Sequence, residues 1–299
     1  MRDIYIKNHS FGAGKWIYKG YESAWKKKGF NPIFYNHLEE IDVSSDYDLM
    51  ALDGDVNHQN LHIVGNSNRC YLYVQPNVFP EPWGHHPNFV SQTGPEIGGY
   101  LNNLENVYQW CFSQVTSYHA FWKQVSYIPL AFNSIDYKPI EDEEYRFDVC
   151  YVGGWANNGF NEKKVIMMEH FKAFKDTGLK CGFFINRDLS HEKEIKILTN
   201  SKVCLNIHDA YQRVLGLDTN ERTYKSLGLN GCLVSDDVCD LNLQFPDVKT
   251  SSDPETFKNN ALYMLNMDPD LLASIKEKNR LYIEQNHTYI NRVESMLCL

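Results

Sequence analysis

The sequence lacks the features that define several large protein classes. It has no uninterrupted run of the ~18 apolar residues that a membrane-spanning helix needs. Its first eight residues carry charges where a secretory signal peptide requires an apolar region. With 43% hydrophobic and 22% charged residues, it is neither low in complexity nor typical of disorder. These absences predict a globular, cytoplasmic protein.

Paired cysteine motifs are missing as well. The chain has eight cysteines but no CxxC pair. Most of the cysteines lie in apolar runs such as Val203-Cys204-Leu205. This pattern predicts reduced, buried thiols in place of a disulfide framework, and nothing in it indicates a zinc site.

Positive charge is scarce overall but concentrated at one end. The formal net charge is −9, which argues against a surface built mainly for nucleic acid. Residues 1–30 are the exception, because seven lysines and arginines there face only Asp3 and Glu22. That segment is interpreted either as a solvated helix face or as an anion-binding patch.

Short apolar runs alternate with helical patterns along the chain, which predicts a mostly parallel sheet covered on both faces. The predicted strands are 4–6, 33–35, 49–52, 71–74, 111–113, 125–128, 147–152, 181–185, 203–207 and 232–235. The predicted helices are 16–28, 114–123, 163–175, 192–200 and 221–229. The fold class is therefore α/β with two doubly wound, Rossmann-like domains that face each other across a cleft.

A Pro-containing stretch followed by the acidic run 141–144 marks the predicted domain boundary. We expect one domain at 1–140 and a second at 141–280. The C-terminal segment 281–299 is predicted as a helix that packs back on the first domain.

A glycine turn follows the first strand of each predicted domain. Gly12 and Gly14 precede the first helix, and Gly153 and Gly154 occupy the equivalent place in the second domain. Neither the P-loop nor the dinucleotide-binding spacing is present. Each turn either lets a phosphate approach the backbone or only reverses the chain, and the duplication favours a ligand between the domains.

Residues 219–236 give the strongest signal of a binding site. A polar loop leads into a short helix, with Arg222 and Lys225 one turn apart near its N-terminus. Two cations beside free backbone N–H groups suit a diphosphate. The alternative is an amphipathic helix with two solvated cations.

A candidate general base follows the strand predicted at 49–52. Asp53 ends that strand, and Asp55 and His58 lie close behind it. A carboxylate there could deprotonate an acceptor hydroxyl, although Asp53-Gly54 is also ordinary turn chemistry. Four other polar residues are expected to be structural or exposed, namely His85, His86 and Glu96 in loops and His119 in a helix-like stretch. The loop aromatics Phe79, Trp83 and Trp155 either stack on a sugar or base or only hold their loops in place.

The segment Asn220-Glu221-Arg222-Thr223-Tyr224-Lys225, followed by Gly231 and an apolar strand, resembles the donor-binding helix of GT-B glycosyltransferases, more narrowly the CgeB-like, family-1-type group. Three further blocks agree with that group in order, namely residues 127–133, 148–154 and 287–293. The resemblance spans roughly residues 125–299. A glutamate that binds the nucleotide ribose in many such enzymes is replaced here by Lys225.

The resemblance implies a GT-B fold and transfer of a hexose or pentose from a nucleoside-diphosphate sugar, UDP-sugar first, to an acceptor hydroxyl. It makes 1–140 the acceptor-side domain and 141–280 the nucleotide-sugar-binding domain. Arg222, Lys225 and the four turn glycines would bind the diphosphate, and Asn220, Glu221 and Thr223 the nucleotide or sugar. It implies no metal ion and no cofactor beyond the co-substrate.

The acceptor is left open between a glycan, lipid, protein or small-molecule hydroxyl and a hydroxymethylated base in phage DNA. Inverting and retaining transfer are both compatible with the sequence. Two rival functions remain, a GT-B-like nucleotide-sugar epimerase and a non-catalytic sugar-nucleotide-binding protein.

Overall fold

The computed structural model describes residues 1–9, 12–84, 90–155 and 162–299. The chain divides into two compact units. Unit 1 consists of Met1–Pro129 together with Tyr289–Leu299, and unit 2 is Leu130–Thr288. No described helix is both long and apolar enough to cross a membrane.

Unit 1 is built on a six-stranded sheet with the order β2-β1-β3-β4-β5-β6, and every pairing in it is parallel. The strands are β1 (Arg2–Lys7), β2 (Phe30–Tyr35), β3 (Tyr47–Leu52), β4 (Arg69–Tyr73), β5 (Val107–Cys111) and β6 (Val125–Tyr127). The helices are α1 (Gly12–Lys27), α2 (Leu61–Asn66), α3 (Pro95–Leu101) and α11 (Tyr289–Leu297). Strand residues such as Leu49 and Leu72 are fully buried in its core.

Helix α11 completes unit 1 from the far end of the chain. The Tyr289 ring packs directly on Gly20 of α1, where a Cβ would lie 2.2 Å from the ring, so only glycine fits there. Arg292 Nε donates to Pro129 O at 2.9 Å. A break at His287 and Thr288 separates α11 from the preceding helix, where the sequence predicted one segment over 281–299.

Unit 2 contains a five-stranded parallel sheet with the order β11-β10-β9-β7-β8. Its strands are β7 (Val149–Gly153), β8 (Cys181–Ile185), β9 (Val203–Asn206), β10 (Leu233–Ser235) and β11 (Lys249–Thr250). Its helices are α4 (Lys163–Lys172), α5 (His191–Asn200), α6 (Ala210–Leu215), α7 (Glu221–Leu229), α8 (Cys239–Gln244), α9 (Pro254–Leu265) and α10 (Pro269–Asn286).

The division between the units falls after Pro129, whereas the sequence predicted it after residue 140. The reason is that Phe132 belongs to unit 2. Its ring lies against Gly228 of α7, and its backbone N–H donates to His287 O at 2.8 Å. The exposed acidic run therefore follows the change of unit instead of marking it.

Two predicted elements of unit 1 differ from the structure. The strand predicted at 111–113 lies earlier, at Val107–Cys111. It includes the polar Gln109, which is buried there because its side-chain amide donates to Asn102 Oδ1 at 2.7 Å. The helix predicted at 114–123 is only a short 3-10 turn, Thr116–His119. The Ser113 hydroxyl accepts from Val115 N there, a local bond that competes with helix formation.

All eight cysteines are free. Five are buried and Cys181 is half-buried, but Cys239 and Cys298 are exposed. The expectation of buried thiols therefore fails for these two. Cys239 lies at the start of α8 and Cys298 just past α11, so neither is in an apolar strand.

Candidate functional site

Polar residues gather at the carboxyl edge of the unit 2 sheet, where parallel strands end side by side. Gly153 ends β7, Asn206 ends β9, and Asp236 follows β10. Helix α7 brings Arg222 to the same edge through contacts with the ends of β7 and β9. This is the edge at which open α/β sheets bind their ligands.

The Arg222 guanidinium is held only by uncharged groups. Nε donates to Val152 O, and Nη1 donates to Asn206 Oδ1 at 2.8 Å and to Ile207 O at 3.4 Å. Within the described parts of the chain, no carboxylate forms an ion pair with it. Its positive charge is therefore fixed in place without being neutralised, which is the arrangement of an anion-binding residue.

The glycine turn of unit 2 makes room for this arginine. A Cβ on Gly153 would lie 2.1 Å from Arg222 Nη2, so a side chain there would displace the guanidinium. A Cβ on Gly154 would lie 1.7 Å from Asn186 Oδ1, which accepts from Trp155 N at 3.1 Å. The structure thus brings Gly153 to Arg222, while Gly154 packs against Asn186.

A network of amides and hydroxyls surrounds Asn206 beside Arg222. The Asn206 amide nitrogen donates to Asn220 Oδ1 and to Thr223 Oγ1, each at 3.0 Å. Asn220 returns a bond to Asn206 Oδ1 at 3.1 Å. Asn220 and Thr223, which the resemblance assigned to nucleotide or sugar, are therefore hydrogen-bonded to the same amide that contacts Arg222.

The network continues to a fully buried histidine–aspartate pair. His208 Nδ1 lies 2.7 Å from Asp236 Oδ1, and His208 Nε2 lies 2.8 Å from Thr219 Oγ1. Burial alone would raise the pKa of Asp236, but the attraction and hydrogen bonds of His208 bring it below the usual value. Asp236 is thus an anchored carboxylate.

A second cation, Lys163, lies near this edge at the start of α4. Its Nζ is 3.5 Å from Asp209 Oδ2, and the residue is 4% exposed. Burial lowers the pKa of Lys163 to about 8 against the pull of Asp209, and the charge of Arg222 lowers it further. The mutual repulsion of the two cations marks an edge that favours an anion.

Lys225 is not brought together with Arg222. Its ammonium lies 2.7 Å from Glu194 Oε1 of α5 and 3.6 Å from Glu221 Oε1. All three residues are buried, and despite that burial the two carboxylates raise the pKa of Lys225 well above its usual value. Lys225, Glu194 and Glu221 thus form a buried ion-pair cluster. The charge of Lys225, which was predicted to bind a diphosphate, is therefore neutralised by carboxylates.

In unit 1, Asp53 lies at the carboxyl edge of β3 and is almost completely buried. Its carboxylate accepts from the Ser91 hydroxyl and from Gly54 N. Burial raises the pKa of Asp53 to about 6, although these bonds and one from the Gln75 backbone favour the charged form. A carboxyl that titrates there changes its proton occupancy close to neutral pH.

The two companions of Asp53 have different surroundings. Asp55 Oδ2 lies 3.0 Å from Lys7 Nζ in a partly buried ion pair. His58 is exposed, with Nε2 3.9 Å from Glu96 Oε2. Another histidine is His9, just after β1, whose ring stacks on Tyr18 with 4.5 Å between the ring centroids. Burial and Lys7 lower the pKa of His9, whereas Asp55 opposes the shift.

The two glycines at the start of α1 have different surroundings. Gly12 has φ +64°, a conformation that favours glycine, and nothing lies near the position of a Cβ. A Cβ on Gly14 would lie 3.0 Å from the His9 side chain. His85 and His86 lie outside the described residues. Among those described, no group of three or more His, Cys, Asp or Glu side chains is placed to hold a metal ion.

Sequence reasoning missed Lys163, Asn206, His208 and Asp236 as members of this edge. The signal for three of them was present, because Asn206 and His208 end an apolar strand and Asp236 ends the next one. The same rule had identified Asp53. Lys163 had no such signal, since it begins α4 and does not follow a strand.

The fold is that of GT-B glycosyltransferases, as predicted. AviGT4, a glycosyltransferase involved in avilamycin A biosynthesis, superimposes with a TM-score of 0.61 at 10% identity, over 99% of this chain and 96% of that one. The T4 phage enzyme BGT, solved with its UDP-glucose substrate, gives 0.54 at 12% identity over 98% and 97%. The trehalose-6-phosphate synthase OtsA gives 0.56 at 10% identity over 97% and 77%.

The sequence itself places the chain in a family. The model of the glycosyl transferase-like family matches residues 140–298, more than half of the chain. The chain belongs to this family, which confirms the resemblance drawn from residues 125–299. Curated protein sequences give no match.

Proposed function

We propose that this glycosyltransferase takes its sugar from a nucleoside-diphosphate sugar whose diphosphate binds at the carboxyl edge of the unit 2 sheet. The observation that carries the proposal is the Arg222 guanidinium, fixed by Val152 O, Asn206 Oδ1 and Ile207 O, with no carboxylate of the described residues paired to it. A cation held this way gains most when an anion arrives and stabilises the leaving diphosphate as its charge develops.

Lys163, whose ammonium lies 3.5 Å from Asp209 Oδ2, adds to the positive potential near Arg222, and Gly153 leaves room for the Arg222 guanidinium. The nucleotide sugar is the co-substrate in this proposal, with UDP as the first nucleotide to test and a hexose or pentose as the sugar. The positive charge that a bound metal ion would otherwise supply comes here from Arg222 and Lys163.

Asp53 is the proposed general base for an inverting transfer. Its pKa of about 6 lets it be ionised at neutral pH and still accept a proton from an acceptor hydroxyl. Its position where β3 ends supports this role, and its bonds to Ser91 and Gly54 hold the carboxylate in one orientation.

The acceptor proposed here is a neutral hydroxyl compound, a glycan or small molecule, in preference to DNA. Of the seven cations that form the basic segment 1–30, five are paired with carboxylates. The pairs are Arg2–Asp48, Lys7–Asp55, Lys19–Glu22, Lys26–Glu22 and Lys28–Glu294. Cations that are already paired contribute little to binding a phosphate backbone.

Incubation with a panel of nucleotide sugars tests the function directly. Release of nucleoside diphosphate that depends on an added acceptor is the expected result, and slow release without one indicates hydrolysis by a transferase that lacks its acceptor. An epimerised sugar recovered from the mixture would favour the epimerase. The donor site is refuted if none of UDP, GDP, ADP and TDP raises the melting temperature of the protein at millimolar concentration.

A further inference from the structure

The side chain that faces Arg222 most closely is an amide, although a carboxylate would be the stronger partner for a guanidinium. Asn206 is fully buried, and its Oδ1 lies 2.8 Å from Arg222 Nη1. The amide supplies the direction of a hydrogen bond without supplying a negative charge. The choice of Asn at this position thus leaves the charge of Arg222 available to a ligand.

The orientation of this amide follows from its neighbours. A guanidinium can only donate, so the oxygen of Asn206 must face Arg222 and the nitrogen must face away. The nitrogen then meets two acceptors at 3.0 Å, Asn220 Oδ1 and Thr223 Oγ1. Both halves of the amide are therefore satisfied in one orientation only.

A chain of buried groups secures that orientation. Thr223 Oγ1 lies 2.6 Å from Thr219 Oγ1, which in turn lies 2.8 Å from His208 Nε2. The chain ends at Asp236, which is held by the side chain and backbone N–H of His208. Asp236 is thus engaged with His208, and the Asn206 amide lies between that pair and Arg222.

We propose that Asn206 is a positioning residue for the donor diphosphate. It holds the guanidinium over Gly153 in a neutral cradle, so that the diphosphate and not the protein supplies the counter-charge. The proposal rests on the proposed function, because it concerns the same anion site. The hydrogen bond of the Asn206 amide to Arg222, and not only the packing of the Asn206 side chain, then contributes measurably to diphosphate affinity.

The test compares Asn206→Asp, which keeps the shape and adds a charge, with Asn206→Ala, which removes the hydrogen bond and leaves Arg222 charged. The probes are UDP by calorimetry and uridine by ligand-observed NMR. We expect N206D to bind UDP at least about tenfold more weakly, the scale of one lost charge-assisted contact, while uridine binding is unchanged. N206A should lose less UDP affinity than N206D.

A merely structural role predicts the opposite pattern, in which UDP and uridine weaken together and N206A is at least as impaired as N206D. That pattern, or UDP binding by N206D within about twofold of the unmodified protein, overturns the proposal. If N206D does not fold, N206A is compared with Arg222→Gln, and equal losses of UDP affinity overturn it. An unmodified protein that binds no nucleoside diphosphate refutes the proposed function itself, a result distinct from these.

Discussion

The guanidinium carbon of Arg222 lies 4.7 Å from the centre of the Tyr151 ring. Tyr151 is a fully buried residue of β7, so the ring cannot move aside without disturbing the sheet. An aromatic face attracts a cation without carrying a formal charge. Tyr151 and the three neutral oxygens therefore act in the same sense, fixing the position of Arg222 while preserving its charge.

Replacing Arg222 by Ala should slow sugar transfer by roughly 30- to 1000-fold, since one contact to a developing oxyanion contributes about 2–4 kcal/mol to the barrier. The affinity for UDP should fall as well. Arg280→Ala is the matched control, because Arg280 forms an exposed pair with Glu277 on α10 of the same unit. Steady-state turnover and UDP calorimetry on both variants are the measurements. Full activity in a folded R222A protein would refute the assignment.

Donor affinity should fall as pH rises through about 8. Burial lowers the pKa of Lys163 to about 8, so its charge is present below that pH and lost above it. UDP titrations between pH 7 and 9.5 measure the effect.

Lys163→Met should abolish this pH dependence and weaken UDP binding already at pH 7. Lys164→Met is the matched control, since Lys164 is exposed and lies over the Trp155 ring. A pH dependence that persists in K163M would assign the titration to another group.

Asp53→Asn should abolish inverting transfer while leaving UDP affinity unchanged. For the unmodified enzyme we expect kcat to rise with pH through about 6, because a base must be ionised to accept a proton and the pKa of Asp53 is about 6. Turnover and UDP affinity are measured on the same preparation.

Asp55→Asn is the comparison for that experiment, as Asp55 is paired with Lys7. Normal turnover in D53N would show that Asp53 is not the base and serves only the Asp53-Gly54 turn. The variants at Asp55, at His9 and at the exposed His58 would then be tested in that order.

Lys225→Met should destabilise the fold more than it affects UDP binding. It leaves the carboxylates of Glu194 and Glu221 buried without their cation, which typically costs about 3–5 kcal/mol. Urea denaturation measures the loss. Adding Glu194→Gln to K225M should restore part of the stability, and a stable K225M protein that no longer binds UDP would instead assign Lys225 to the donor.

The sequence was sufficient for the strand–helix alternation, because buried strands such as 181–185 read directly as apolar runs. It also singled out Arg222, which the structure places at the carboxyl edge of the unit 2 sheet, although a pair of solvated cations was an equally open interpretation of the same helix. It could not show that Lys225 pairs with Glu194, because Glu194 is 31 positions away on another helix and only the tertiary fold brings them together. Two cations on one helix face thus have different surroundings.

The membership of α11 in unit 1 has a consequence for synthesis on the ribosome. Residues 130–288 form a contiguous unit that is complete before the last residues emerge, whereas unit 1 lacks the Tyr289 ring that covers Gly20 until its final helix is made. Until Tyr289 is made, that face of α1 has no such cover. The segment that covers Gly20 is thus translated only after the whole of unit 2, although domains are otherwise completed in the order of their synthesis.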